Sequence, residues 1–202
     1  MTASNLRRVL PAALFAVTVP LAGCAGQDTP AATPPALLHT VPDLCQRLDH
    51  GELRELAEPV GTPRQMPSDD RSVRCGVTSG ALNSESLATL MLSTIVKPTA
   101  ADAAGGVPTA DPVSNSDFER GQLDGLGERA TIIYSSFEAD LDVGEVGTAH
   151  ESYDLTTLDG NAVVMVMLKL GSGQHVGPAV LERIARGYTQ QALDLMRAQP
   201  AG

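Results

Sequence analysis

Apolar positions along the chain recur with two periods, and the switches between them mark out the elements. Residues 43–57 carry Leu44, Leu48, Leu53 and Leu56 among charged neighbours, a helical spacing interrupted at Gly51 and stopped by Pro59. That pattern predicts two short helical pieces. Residues 71–79 alternate, with Val73, Cys75 and Val77 on one side and Arg74 and Thr78 on the other, as a half-exposed strand does. Residues 87–97 are apolar on both parities, Leu87, Met91 and Ile95 against Leu90, Leu92 and Val96, which predicts a central strand covered on both faces. Residues 98–116 are a Pro/Ala/Gly/Asp stretch without periodicity. This predicts a disordered connection, with a mobile loop beside a site as the alternative.

A short helix is expected over 117–122, and residues 130–138, 150–158 and 161–170 read as three further strands. The last two are joined at Leu158-Asp159-Gly160-Asn161, where Asp-Gly is a hairpin signal. Gly177-Pro178 opens a C-terminal helix, Pro being tolerated in the first turn where its missing donor is not needed. Leu181, Ile184, Tyr188, Ala192 and Leu195 form its apolar stripe, with Glu182, Arg183, Arg186, Gln190 and Arg197 opposite, and Pro200 marks its end. Together these elements predict an α+β domain over residues 43–200. It is an antiparallel sheet of about five strands, packed with short N-terminal helices and a long C-terminal helix on one or both faces.

The N-terminal segment has a different composition. Arg7 and Arg8 precede the apolar run Val9 to Leu21, too short for a mature membrane span and suited to a secretory signal. The run ends in Leu21-Ala22-Gly23-Cys24, which resembles the lipobox of bacterial lipoproteins. The resemblance implies that residues 1–23 are removed and that Cys24 carries a diacylglyceryl group, anchoring the protein to membrane lipid on the extracytoplasmic face. Residues 24–42 then form a lipidated N-terminus and a Pro/Thr-rich tether, with Pro30, Pro34 and Pro35 and the single charge Asp28 before Pro42.

Charge narrows the function. The 202 residues carry a formal net charge of −10, which loss of Arg7 and Arg8 with the signal takes to −12. An acidic body argues against nucleic acid, which demands a basic footprint, and six aromatics leave few stacking platforms. With 43% hydrophobic residues the chain can still bury a core. Assigning Cys24 to lipid leaves Cys45 and Cys75 as an even pair in an exported protein, and a disulfide between them is expected. Metal binding is the alternative, but there is no Cys-x-x-Cys and His39, His50, His150 and His175 are scattered; no metal and no cofactor are expected.

The order of lipobox, tether, Asp43-Leu44-Cys45-Gln46-Arg47-Leu48 with Glu52-Leu53, a second cysteine on a strand at Cys75, and Gly125-Leu126-Gly127-Glu128-Arg129-Ala130 before another strand is similar to actinobacterial exported lipoproteins. In particular it resembles those with a DUF3558-type domain. The resemblance implies a disulfide-bearing α+β domain at the cell envelope, with no established activity.

Candidate chemistry is sparse. Gly125-Leu126-Gly127-Glu128-Arg129-Ala130 fits a dinucleotide fingerprint by letter, but a strand rather than a helix is expected after it, so a tight entry turn is the reading. Ser172 and His175 share one loop without an orienting acid, short of a catalytic triad. Glu138, Asp140, Asp142 and Glu145 cluster without a calcium-loop frame and read as a solvated hairpin. The remaining candidate is apolar: Met91, Met165 and Met167, on strand faces with Leu87, Ile95 and Val163, could wall a cavity for a hydrophobic molecule beneath the helices. Ordinary core packing is the alternative. The expectation is a non-enzymatic, membrane-anchored envelope lipoprotein that binds a small or hydrophobic molecule. Docking of another envelope protein is the second reading, and a hydrolase the remotest.

Overall fold

The structure, a computed structural model, describes residues 37–81, 86–107, 112–114, 117–139 and 148–198. The signal, Cys24 and most of the tether lie outside the described residues, as do Asp140, Asp142 and Glu145. Eight strands form one sheet: β1 (Arg64–Met66), β2 (Ser72–Ser79), β3 (Ser86–Val96), β4 (Val113–Ser114), β5 (Phe118–Leu123), β6 (Arg129–Ala139), β7 (Thr148–Asp159) and β8 (Ala162–Ser172). Their order is β1-β2-β3-β8-β7-β6-β5-β4, and every neighbouring pair is antiparallel.

The hairpin signal lies where β7 turns into β8. Asp159 pairs with Ala162, so Gly160 and Asn161 form the two-residue turn, and Gly160 takes the positive φ of 52° that such a turn demands. Asn161 also ties the chain entry to this turn. Its Oδ1 accepts from the Leu38 amide at 2.8 Å, and its Nδ2 donates to the carbonyls of Lys97 and Leu38.

One face of the sheet is covered. Ala88, Leu90 and Leu92 of β3, Val164, Val166 and Leu168 of β8, and Tyr153 and Leu155 of β7 point into a core closed by the C-terminal helix α3 (Pro178–Ala198). The helix buries Leu181, Ile184, Tyr188, Ala192 and Met196, while Leu195 of the expected stripe is only partly buried. On the same side, helix α1 (Leu44–Arg47) and a 3-10 turn (Gly51–Glu55) supply the two short pieces; the break falls at residues 48–50, and Gly51, where the pattern places it, opens the second piece. The Cys45–Cys75 disulfide joins α1 to β2. Closing a loop with a sequence separation of 30 stabilises the fold by roughly 3–4 kcal/mol in the chain-entropy model.

Four expectations need correction. The sheet has eight strands, not about five, because β1, β4 and β5 are short or half-exposed and are held by backbone pairing rather than by an apolar stripe. Residues 118–123 form strand β5 instead of a helix, since each position pairs with β6 from Phe118↔Ser135 to Leu123↔Ala130. Within 98–116, where disorder was expected, helix α2 (Ala100–Ala104) forms, capped by Thr99 Oγ1 accepting from the Asp102 amide. Ala103 and Val107 pack on Leu158 and Val163 at the end of the β7–β8 hairpin. Finally, β3 is covered on one face only: Leu87 and Met91 are 43% and 41% exposed.

Candidate binding face

The face away from α3 is organised in rows that the strand register dictates. Gly76, Met91, Met167, Asp154 and Ile133 are successive pairing partners from β2 to β6 and so lie in one line across the sheet. The neighbouring row runs Met66, Arg74, Ser93, Met165 and Thr156. Thr89, Lys169 and Ser152 flank the line on its other side. Beyond them, at the end of the sheet far from the Gly160 turn, stand Leu87, Gly171, His150 and Phe137.

Two shallow clefts follow from this pattern. One, of about 390 Å³, is lined by Met66, Met91, Met165, Met167, Ile133 and Asp154, among others. The second, of about 420 Å³, lies between Leu87, Thr89, Lys169, His150 and Phe137. Phe137 is 62% exposed and stacks on the His150 ring, with centroids 4.9 Å apart.

The structure therefore brings Met91, Met165 and Met167 together, Met91 directly opposite Met167. It places them, however, on the face opposite α3, because their parity is the reverse of the Leu90, Leu92, Val166 and Leu168 set. The expectation of a methionine-walled cavity beneath the helices is corrected accordingly. Among the described residues, Met165 is the one of the three that packs against the Ala103, Val107, Leu158 and Val163 cluster at α2.

Asp154 is the polar member of the apolar row, partly buried between Met167 and Ile133. Its Oδ1 is shielded from solvent and has no hydrogen-bond partner among the described residues. Burial holds its carboxyl above the usual carboxylate range, a shift that the nearby Lys169 ammonium and the Ser152 hydroxyl partly oppose. The sequence pattern did not single out Asp154, since it shares parity with Ser152 and Thr156 and so resembles a solvated strand position. Strand register, which places it between two apolar neighbours, supplies what the linear pattern lacks.

The other candidates are absorbed by structure. Glu151, on the covered face, accepts from the amides of Val176 and Gly177 at 2.8 and 2.9 Å and from Tyr134 Oη at 2.9 Å. It thus binds the β8–α3 connection to the sheet. Burial raises the Tyr134 phenol, which keeps it a donor to that carboxylate. Ser172 Oγ donates to the Gln174 carbonyl, not to His175. His175 instead stands between Glu138 and Glu151, 3.7 and 3.9 Å away. Gly125 and Gly127 take positive φ of 75° and 60° in the turn entering β6, which is the tight entry turn expected of that motif.

No family model matches this chain, and no curated protein matches it. Among solved structures it is similar to the extracellular domain of PknH from Mycobacterium tuberculosis. The match has 12% identity, a TM-score of 0.45, and covers 78% of this chain and 98% of that one.

Proposed function

We propose that this chain is a lipid-anchored, extracytoplasmic binding protein of the cell envelope, non-enzymatic, which takes a small hydrophobic molecule on its open sheet face. The lipobox at Cys24 supports the anchor, and the Cys45–Cys75 disulfide supports an oxidising compartment. One observation carries the binding reading: four of the six methionines, Met66, Met91, Met165 and Met167, converge on one groove of the face that α3 leaves uncovered. Methionine side chains are adaptable and polarisable, suited to a ligand without fixed shape. An uncovered apolar patch rimmed by polar residues is a common mark of a binding surface.

Native mass spectrometry of the full chain tests this reading. A bound small molecule should accompany the protein and be lost in Met167→Glu, which puts a charge in the middle of the groove. Bare protein in both samples, or a bound species that survives the substitution, would count against the groove. The exposed Phe137 and Leu87 favour a second use of the same face, as the rim on which another envelope protein docks.

A further inference from the structure

Two side chains lining the groove, Ser93 and Asp154, keep a shielded oxygen without a partner among the described residues, and Asp154 is the charged one. Asp is a poor strand former, and Asp154 sits with Met167 and Ile133 directly opposite it on the two neighbouring strands. A shielded carboxylate oxygen without a donor costs stability. Among the described residues that cost is offset only in part: the Ser152 hydroxyl and the charge of Lys169, exposed one row away, favour the carboxylate, but Lys169 forms no ion pair with it and Oδ1 meets no donor. Arg74 lies in the adjacent row three strands off, roughly 14 Å at ordinary strand spacing. The carboxylate that lines the groove is therefore short of a donor, and its charge is negative.

Resting on the binding reading above, we propose that the groove selects a small amphiphilic amine, its hydrocarbon lying over Met91, Met165, Met167 and Ile133 and its ammonium donating to Asp154. The chemistry is complementary on both counts. The thioethers and the Ile133 side chain accept methylenes, and the carboxylate accepts a charge-assisted hydrogen bond that a neutral head forms more weakly and an anionic head cannot form. An anion would have to turn to Arg74, which lines the β2 side of the same cleft, or to Lys169 in the row beyond, and either way would leave the Asp154 carboxylate without a donor.

Methionine methyl NMR on the full chain, labelled at the methionine methyl carbons, reads the groove directly. Met66, Met91, Met165 and Met167 report the open face, and Met196, on the buried face of α3, serves as the internal control. The probes are n-hexylammonium, 1-hexanol and hexanoate. Hexylammonium should move the open-face methyls, leave Met196 in place, and bind at least about tenfold more tightly than hexanol, the difference expected of one charge-assisted hydrogen bond. In Asp154→Asn that preference should fall to about twofold or less, with an unchanged Met196 resonance showing that the core is intact.

Equal binding of the amine and the alcohol, a preference that survives Asp154→Asn, or a preference for hexanoate would overturn the amine assignment while leaving the groove as a binding site. Open-face methyls that respond to none of the three probes would overturn both.

Discussion

Two carboxylates three residues apart on β7 show how parity decides the fate of a charge. Glu151 faces the covered side and meets three donors, so its burial is compensated; Asp154 faces the open side and leaves Oδ1 without one. The difference has a pH signature. An acid whose folded value lies above its unfolded value holds its proton more tightly when folded. Below the unfolded carboxylate range, around pH 4, both states are protonated and Asp154 costs nothing. As pH rises, the unfolded chain ionises first and stability falls, levelling off once the folded group has ionised too. Asp154→Asn removes this term. The variant should be more stable than the parent at pH 7 by about 1 kcal/mol, the low end for an unsatisfied group because the side chain is only partly buried and Lys169 faces it. Near pH 3 the advantage should vanish. Urea unfolding at both pH values checks this, and a gain of the same size at each would show that ionisation is not its source.

At the scale of elements, legibility tracked packing. The strands over 71–79, 87–97, 130–138, 150–158 and 161–170 correspond to β2, β3, β6, β7 and β8, where apolar residues recur at strand spacing. The α3 stripe was legible for the same reason. β5 was not: its residues Phe118-Glu119-Arg120-Gly121-Gln122-Leu123 are mostly half-exposed, with a glycine in the middle, and only backbone pairing to β6 makes them a strand. Its central glycine makes the assignment testable. A Cβ at Gly121 would meet nothing within 4 Å, whereas at Gly127, with φ of +60°, it would stand 2.5 Å from the Leu158 carbonyl oxygen. Gly121→Thr should therefore raise stability by about 0.5–1 kcal/mol and exceed Gly121→Ala, since strands favour Thr over Ala and helices the reverse. Gly127→Ala should lower stability by at least about 1–2 kcal/mol. Thermal melts of the three variants order them, and Ala outperforming Thr at position 121 would argue for the helix that the sequence pattern suggested.

At the scale of the whole molecule, linear pattern could not say which sheet face the helices cover. β3 is apolar on both parities, and a binding face made of Met and Ile carries the same signature as a core. Only assembly separates them, by laying α3 on the Leu90 and Leu92 side and leaving the Met91 side to α2 at one end. Two residues of one type isolate the effect. Met196 is fully buried under the covered face, while Met91 is 41% exposed on the open one. Met196→Ala should cost about 2–4 kcal/mol, the transfer and cavity terms of a buried methionine. Met91→Ala should cost less than about 1 kcal/mol, because water already reaches its side chain. Denaturant unfolding at two protein concentrations carries the comparison further. If Met91→Ala cost as much as Met196→Ala, the open face would be covered in solution. A cost that grew with protein concentration would then identify the cover as a second copy of the chain, and one that did not would point to a retained ligand.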